Sequence, residues 1–519
     1  MGSNQSKLKE APGCSEKNTA TASMSGILQL SDDEYVHVET GAPPPYSSTR
    51  ERSVRLSAQQ AGTWEKELLA DPKNRLAMSA LSANPVSSIL SSRSAAIVDT
   101  QTFNIMIPFE GSPITSQASS GRCWIFAATN VFRVALMKKY NLEEFELSQS
   151  YLFYWDKLEK ANWFMEQVID TASQSLDSRL VQRLLERPVE DGGQWDMAAN
   201  LVRKYGLKLW TDPASSQSKV PQALYPDSFS ARNSSELGSI LTTKLREHAL
   251  IIRRMARSKD PSVCASIADT KNGFLKEIHS ILTIMLGPPP SATRNFNWEY
   301  YDAKGKFNRV SMSPIEFAAG LSARDGVRAN QGTDVNELFS LVNDPRNSYE
   351  RLLTVDRLGN VVGGRPITYV NVCMDDLKRA AVAMLHAGHP VFFSCDVGKF
   401  SDRKRGIMDT ALYDYSLSFN IQFGMSKAGR LKTGETAMTH AMVLTGVHVE
   451  NGKPVRWRVQ NSWGPDVGDH GWFVMTDQWM DEFLFQVVVD QRYVAQNIRD
   501  VLSQKPIVLP RWDPMGTLA

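Results

Sequence analysis

From Thr63 onward apolar residues recur at helical spacing: Trp64, Leu68 and Leu69, then, after Pro72, Leu76, Met78 and Leu81. The pattern predicts helices and marks entry into a folded body near residue 55. Helices are also predicted over residues 237–256 and 273–286, whereas roughly the last hundred residues read as strands and tight turns. No internal repeat is present. Helices first and a strand-rich portion last predict an α+β body with two walls of different composition. Residues 1–55 are rich in Ser, Thr, Pro, Ala and Glu and hold few clustered apolar residues. They cannot bury enough surface to offset ordering entropy, which predicts a disordered tail.

Composition narrows the class without naming a function. The 519 residues carry 58 Lys+Arg against 56 Asp+Glu, a net charge of +2 that gives no global attraction for a polyanion. The length allows two to four domains or one elaborated one. Cys14, Cys123, Cys264, Cys373 and Cys395 are too scattered for a disulfide framework and form no CxxC pair, so a reducing compartment, without zinc or redox cofactor, is expected. With no apolar h-region and no apolar run near the ~20 residues that span a bilayer, neither secretion nor membrane spanning is expected, and the Asn233-Ser234-Ser235 sequon is expected to be unused.

The tail holds two short signals. Met1-Gly2-Ser3-Asn4-Gln5-Ser6 fits N-myristoylation at Gly2. One such chain anchors only marginally, so Cys14 as a palmitoyl site or Lys7 and Lys9 would have to supply a second anchor. Pro43-Pro44-Pro45-Tyr46 fits a WW-domain ligand preformed as polyproline II, and equally a linker proline run. Residues 1–49 contain no Arg and include Asp32, Asp33 and Glu34, which argues against a mitochondrial transit peptide.

The chemistry concentrates in two segments. Gln117-Ala118-Ser119-Ser120-Gly121-Arg122-Cys123-Trp124 passes from a polar turn into a helix whose boundary falls at Cys123. Apolar residues on most sides of that helix predict its burial, and its free N–H groups then favour thiolate over thiol. The second segment, 439–464, reads as a β-hairpin around Asn451-Gly452. A two-residue loop sets Glu450 opposite Lys453; continued without a bulge, that register sets Met442 opposite Asn461 and His440 opposite Trp463. His440, Asn461 and Trp463 then share one face, with His440 and Asn461 diagonal neighbours roughly 7–8 Å apart along the backbones. An imidazole held by a carboxamide, a cysteine at a helix start and an upstream Gln are the parts of nucleophilic acyl transfer. A lone Cys is more often inert core, and His448, His279 and His386 are read as structural.

These residues resemble papain-type cysteine peptidases, specifically the bleomycin hydrolase branch. Gln117 with Ser120-Gly121-Arg122-Cys123-Trp124, Thr439-His440-Ala441 and Gln460-Asn461-Ser462-Trp463-Gly464 occur in that family's order. Arg122 departs from the common papain signature, which has a small residue before the nucleophile. Cys123 and His440 stand 317 positions apart, against about 130–150 in ordinary papain-like enzymes, as helical insertions would produce. The resemblance implies a papain-like two-wall fold, with a helical left part, a β-barrel-like right part and large helical insertions. It places a peptidase domain at 56–505, an insertion at roughly 200–430, and a C-terminal arm at 506–519 lying in the cleft.

The resemblance also implies roles. Cys123 is the nucleophile, His440 the base and then the acid, Asn461 the orienter, and Gln117 with the Cys123 N–H the oxyanion hole; Trp463 shields the His–Asn bond. A His-paired thiol can fall from about 8.5 to about 3–4, roughly 6–7 kcal/mol in favour of the ion pair. Gly192 and Gly193 are expected to line the cleft for substrate backbone, although a Gly-Gly pair is more often a plain turn. The carboxylate of Ala519 is expected to meet the substrate's α-ammonium and so restrict the enzyme to aminopeptidase action. Implied substrates are peptide N-termini, the bleomycin carboxamide and homocysteine thiolactone. A homohexamer is implied; the cysteine usage makes a cytoplasmic location the expectation, with a mitochondrial form left open. Arg253-Arg254-Met255-Ala256-Arg257-Ser258-Lys259 and Lys399 with Arg403-Lys404-Arg405 are read as solvated charge or as a patch for weak nucleic-acid binding. A nucleic-acid-binding homo-oligomer and a Cys-dependent acyltransferase stand as alternative functions.

Overall fold

A computed structural model describes residues 56–209, 225–321 and 337–518. The readings at Gly2, Cys14, Pro43 to Tyr46 and Ala519 lie outside these residues. The chain divides into two units, Met1–Ala70 and Asp71–Ala519. In the first, a helix spans Ala58–Ala70. The second opens with the helix Pro72–Ala83, capped by Asp71, whose side chain accepts the Lys73 N–H, with Pro72 in the first turn. Leu76 and Met78 remain 72% and 54% exposed, so the apolar spacing there predicted the helix correctly but not its burial.

The helical wall is built on Cys123–Tyr140, which is buried on nearly every side and ends at Asn141 in the left-handed conformation (φ 53°). Around it pack Gln149–Asp170, capped by Ser148, and Trp195–Tyr205. Ser235–Ala256 and Ile267–Leu286 lie on Gln149–Asp170. They bury Leu237, Leu241, Leu245, Ala249 and Ile252, and Ile278, Leu282 and Leu286, stripes with steps of four and, at Ile252, three.

The other wall is a twelve-stranded sheet. Its centre runs Leu338–Val342, Leu484–Asp490, Val391–Cys395, His440–Glu450, Lys453–Gln460 and Trp472–Thr476, with Ile105–Met106 paired beside His440–Glu450. One face of the His440 strand, with Ala441 and Val443, packs into the core shared with Cys123, Trp124 and Ala128. The alternate residues Met442 and Leu444 pack on the opposite side with Trp457, Phe393 and the helix Met374–His386. Period-two alternation therefore divides one strand between two cores, and a single step in register would exchange them.

The expected helical insertion at 200–430 is corrected. Its long helices end at Leu286; a hairpin, Phe296–Tyr301 with Phe307–Met312, follows, and from Leu338 onward strands of the main sheet alternate with shorter helices such as Met374–His386. Leu338–Val342 and Val391–Cys395 are apolar but for one Ser each, Ser340 and Ser394, and are buried on both faces. Such runs lack alternation and cannot be told from buried helix by periodicity.

Candidate active site

Cys123 is the first residue of its helix; Arg122, at the cap, makes no side-chain cap bond. The backbone N–H groups of Cys123, Trp124 and, from the sheet, Ala441 converge on the sulfur. Ser116 pairs antiparallel with Trp463, the Gln117 N–H donates to the Ser462 carbonyl at 2.8 Å, and the Gly464 N–H donates to the Thr115 carbonyl at 3.0 Å. This seam joins the loop before the nucleophile to the hairpin carrying the imidazole.

The hairpin keeps the predicted register at both ends and breaks it twice between them. Glu450 faces Lys453, and Val443 faces Gln460, both as continuous pairing requires, but the register shifts between His448 and Val449 and again between Leu444 and Gly446. Val455 on one strand and Thr445 on the other are the extra residues, so the two bulges cancel. His440 Nε2 consequently donates to Asn461 Oδ1 at 2.9 Å. The Ser462 N–H donates to the same oxygen at 2.7 Å, which identifies it as the amide oxygen and fixes the proton on Nε2, leaving Nδ1 as the basic nitrogen. Trp463 lies over the imidazole, ring centroids 4.8 Å apart and planes tilted 31°.

Burial opposes the thiolate expected from the helix start. It pushes the Cys123 thiol up to about 11, against the pull of the three N–H groups. Burial likewise pushes His440 down to about 4; the Asn461 bond works against this and the Arg403 charge works with it. Each group by itself is therefore neutral at pH 7. The helix terminus does not hold a resting anion unaided, and a charged sulfur requires the imidazole to take its proton, which leaves the cavity's net charge at zero.

Gln117 is buried beside this pair. Its Nε2 donates to the Ser120 carbonyl at 2.6 Å and its Oε1 accepts from Ser462 Oγ at 2.7 Å. Those two bonds fix the amide and leave one Nε2 hydrogen for an oxyanion.

Gly192 and Gly193 lie at the foot of the helix. A Cβ on Gly193 would stand 2.4 Å from Trp124 Cδ2, so this glycine is required for packing against the residue that follows the nucleophile. Lys160 Nζ donates to the carbonyls of Gly192 (2.6 Å) and Glu190 (2.8 Å), and Trp124 Nε1 donates to the Asp191 carbonyl at 2.8 Å. Asp191, paired with Lys157 at 2.5 Å, accepts the Gly121 N–H; these partners hold its carboxyl well below the usual carboxylate range.

Two groups were missed by pattern alone. Arg122 is fully buried and makes a two-bond contact to Asp227 (3.1 and 3.2 Å), with further bonds to Ser150 and Ser120. It braces the nucleophile loop, and its departure from the papain signature was the available signal. Gln194, directly after the glycines, donates through Nε2 to the Thr517 carbonyl at 2.7 Å. The C-terminal arm is therefore docked: Ile507–Leu509 pairs with Arg351–Val355, Asp513 pairs with Arg346 at 2.7 Å, and Met515 is buried. Among the described residues no cluster of metal-ligating side chains occurs, and no helix is long and apolar enough to cross a membrane.

A cysteine opening a buried helix, its sulfur bonded by the Ala441 N–H next to a His–Asn pair on the sheet wall, defines a cysteine peptidase of papain type. The Peptidase C1-like family model matches residues 55–516. The chain is 39% identical over 486 residues to cysteine proteinase 1, mitochondrial, of Saccharomyces cerevisiae, covering 92% of this chain and 95% of that protein. It is 39% identical over 476 residues to the bleomycin hydrolase of Homo sapiens, covering 90% and 99%. The crystal structure of PepW from Lactobacillus rhamnosis superposes with a TM-score of 0.82 at 38% identity, over 90% of this chain and all of that one. The chain belongs to the bleomycin hydrolase family.

Proposed function

We propose that this cysteine peptidase is an aminopeptidase in which Cys123 attacks the first peptide carbonyl of its substrate. His440 Nδ1 takes the thiol proton as the sulfur attacks and returns it to the leaving amine. Asn461 holds the imidazole, and Gln117 with the Cys123 N–H receives the oxyanion. Water then hydrolyses the acyl-enzyme by the same proton route. The same sequence serves other small acyl compounds, the bleomycin carboxamide and homocysteine thiolactone among them.

The observation that carries the restriction to N-termini is the bond from Gln194 to Thr517. It lays the arm beside Gly193, and Gly193 packs on Trp124 next to the nucleophile. In this reading the arm fills the cleft on the acyl side, and the terminal carboxylate at Ala519 pairs with the substrate's α-ammonium. A homohexamer remains part of the proposal by family resemblance and a cytoplasmic location by the scattered cysteines, and one relative is named as mitochondrial.

The test compares aminomethylcoumarin release from a free amino-acid amide and from its N-acetyl form. Turnover of the free amide alone, lost in Cys123→Ala, supports the proposal. Equal turnover of both overturns the exopeptidase restriction.

A further inference from the structure

The two basic stretches behave differently in the fold. Arg253 and Arg257 are committed to the end of the Gln149–Asp170 helix: Arg253 donates to the carbonyls of Thr171 and Gln174, and Arg257 to those of Ala172 and Gln174. Arg403 belongs to a turn between the short strands Ser401–Asp402 and Ile407–Met408. Asp402 accepts the N–H groups of Lys404 (2.9 Å) and Arg405 (3.0 Å), and Arg405 donates to Ser91 Oγ at 2.9 Å. The Gly468 N–H holds the Arg403 carbonyl at 3.1 Å. The turn is thus fixed, while the exposed Arg403 guanidinium has no carboxylate partner among the described residues. It rests on Trp463, 4.6 Å from the ring centroid. It also borders a groove of about 840 Å³ lined by Ser88, Gly398, Ser401, Lys404 and Tyr413.

We propose that Arg403 is a specificity-determining residue that receives a carboxylate carried one residue beyond the scissile bond. This rests on the aminopeptidase reading. Gly193 and Gln194 precede the helix Trp195–Tyr205 and hold the end of the arm at Thr517, whereas Trp463 covers the imidazole that hands its proton to the departing amine. The leaving portion of a peptide therefore meets Trp463 and the cation resting on it. At ~3.3–3.6 Å per extended residue, a carboxylate there, whether a side chain or the chain's own terminus, falls beside the indole. Lys404 adds positive charge in the same groove, and the nearby Lys399 is already neutralised by Glu435 at 2.5 Å.

The experiment measures kcat/KM for free-amine dipeptides with Leu first and Glu, Gln or Lys second, all amidated at the C-terminus, together with Leu-Gln bearing a free carboxylate. The expected order is Glu over Gln over Lys, with Glu about fivefold better than Gln, the size of an exposed ion pair. The preference is expected to disappear in Arg403→Gln, to invert in Arg403→Glu and to shrink toward one at about 1 M salt. The free-carboxylate arm tells whether the terminus is read as well as the side chain. Equal use of Glu, Gln and Lys by the wild type overturns the proposal. So does an equal loss on all substrates in Arg403→Gln with the order kept, because Arg403 would then act only by holding Trp463. If the wild type cleaves none of these peptides, the aminopeptidase reading fails and this inference fails with it.

Discussion

His440 Nε2 and Asn461 Oδ1 meet at 2.9 Å across two strands whose register slips twice and recovers. Because the same oxygen also accepts the Ser462 N–H, the imidazole is held in one tautomer and one orientation. Asn461→Ala removes that hold. It is expected to lower kcat about 100-fold, the cost of a misplaced catalytic group, with KM little changed, in steady-state assays on an unblocked amide.

Burial sets the pH dependence of the nucleophile. In His440→Gln no proton acceptor remains, and the Cys123 thiol stays near about 11. Iodoacetamide alkylation at Cys123, followed by mass spectrometry, is then expected to rise with pH through the whole range to about 10. At pH 7 only about one thiol in ten thousand is ionised in that variant. The wild type, able to form the pair, is expected to react far faster at pH 7.

Arg122 and Asp227 form a buried ion pair under the nucleophile loop. Removing one partner strands the other, so Arg122→Ala is expected to cost about 3–5 kcal/mol. A urea titration measures it. Asp227→Asn removes the counter-charge from the fully buried guanidinium and turns one of its two acceptors into a donor, so it is expected to cost a comparable amount.

Glu146, buried beside Arg133 and Gln149, is pushed up to about 7, chiefly by desolvation. Its folded pKa lies above the unfolded value near 4.5, so the folded protein binds the proton more tightly. The associated stability is complete below pH 4.5 and is lost as pH rises through 7. Relative to Glu146→Gln, the wild type is expected to lose roughly 1–3 kcal/mol between pH 4.5 and 7 and little more above it. Thermal melts at a series of pH values check the sign.

Local pattern carried much of the site. A polar turn running into an apolar helix located Cys123 at its start, and Asn451-Gly452 set a hairpin that keeps His440 and Asn461 on one face. These are short-range properties, fixed by turn chemistry and by the periods of helix and strand. The paired bulges at Val455 and Thr445 were not legible, because skipping one residue on each strand leaves the alternation at the site unchanged.

Everything that depends on distant segments had to await the fold. Leu338–Val342 and Val391–Cys395 became strands only by being covered on both faces. The Arg122–Asp227 brace, the Gln194–Thr517 bond and the seat of Arg403 on Trp463 join residues far apart in sequence. The charge state of Cys123 followed the same division: the sequence by itself determined that a helix begins there and favours an anion, while tertiary structure alone decided how much water is excluded from the sulfur. Desolvation depends on what the rest of the chain packs around a group, and no local pattern records that.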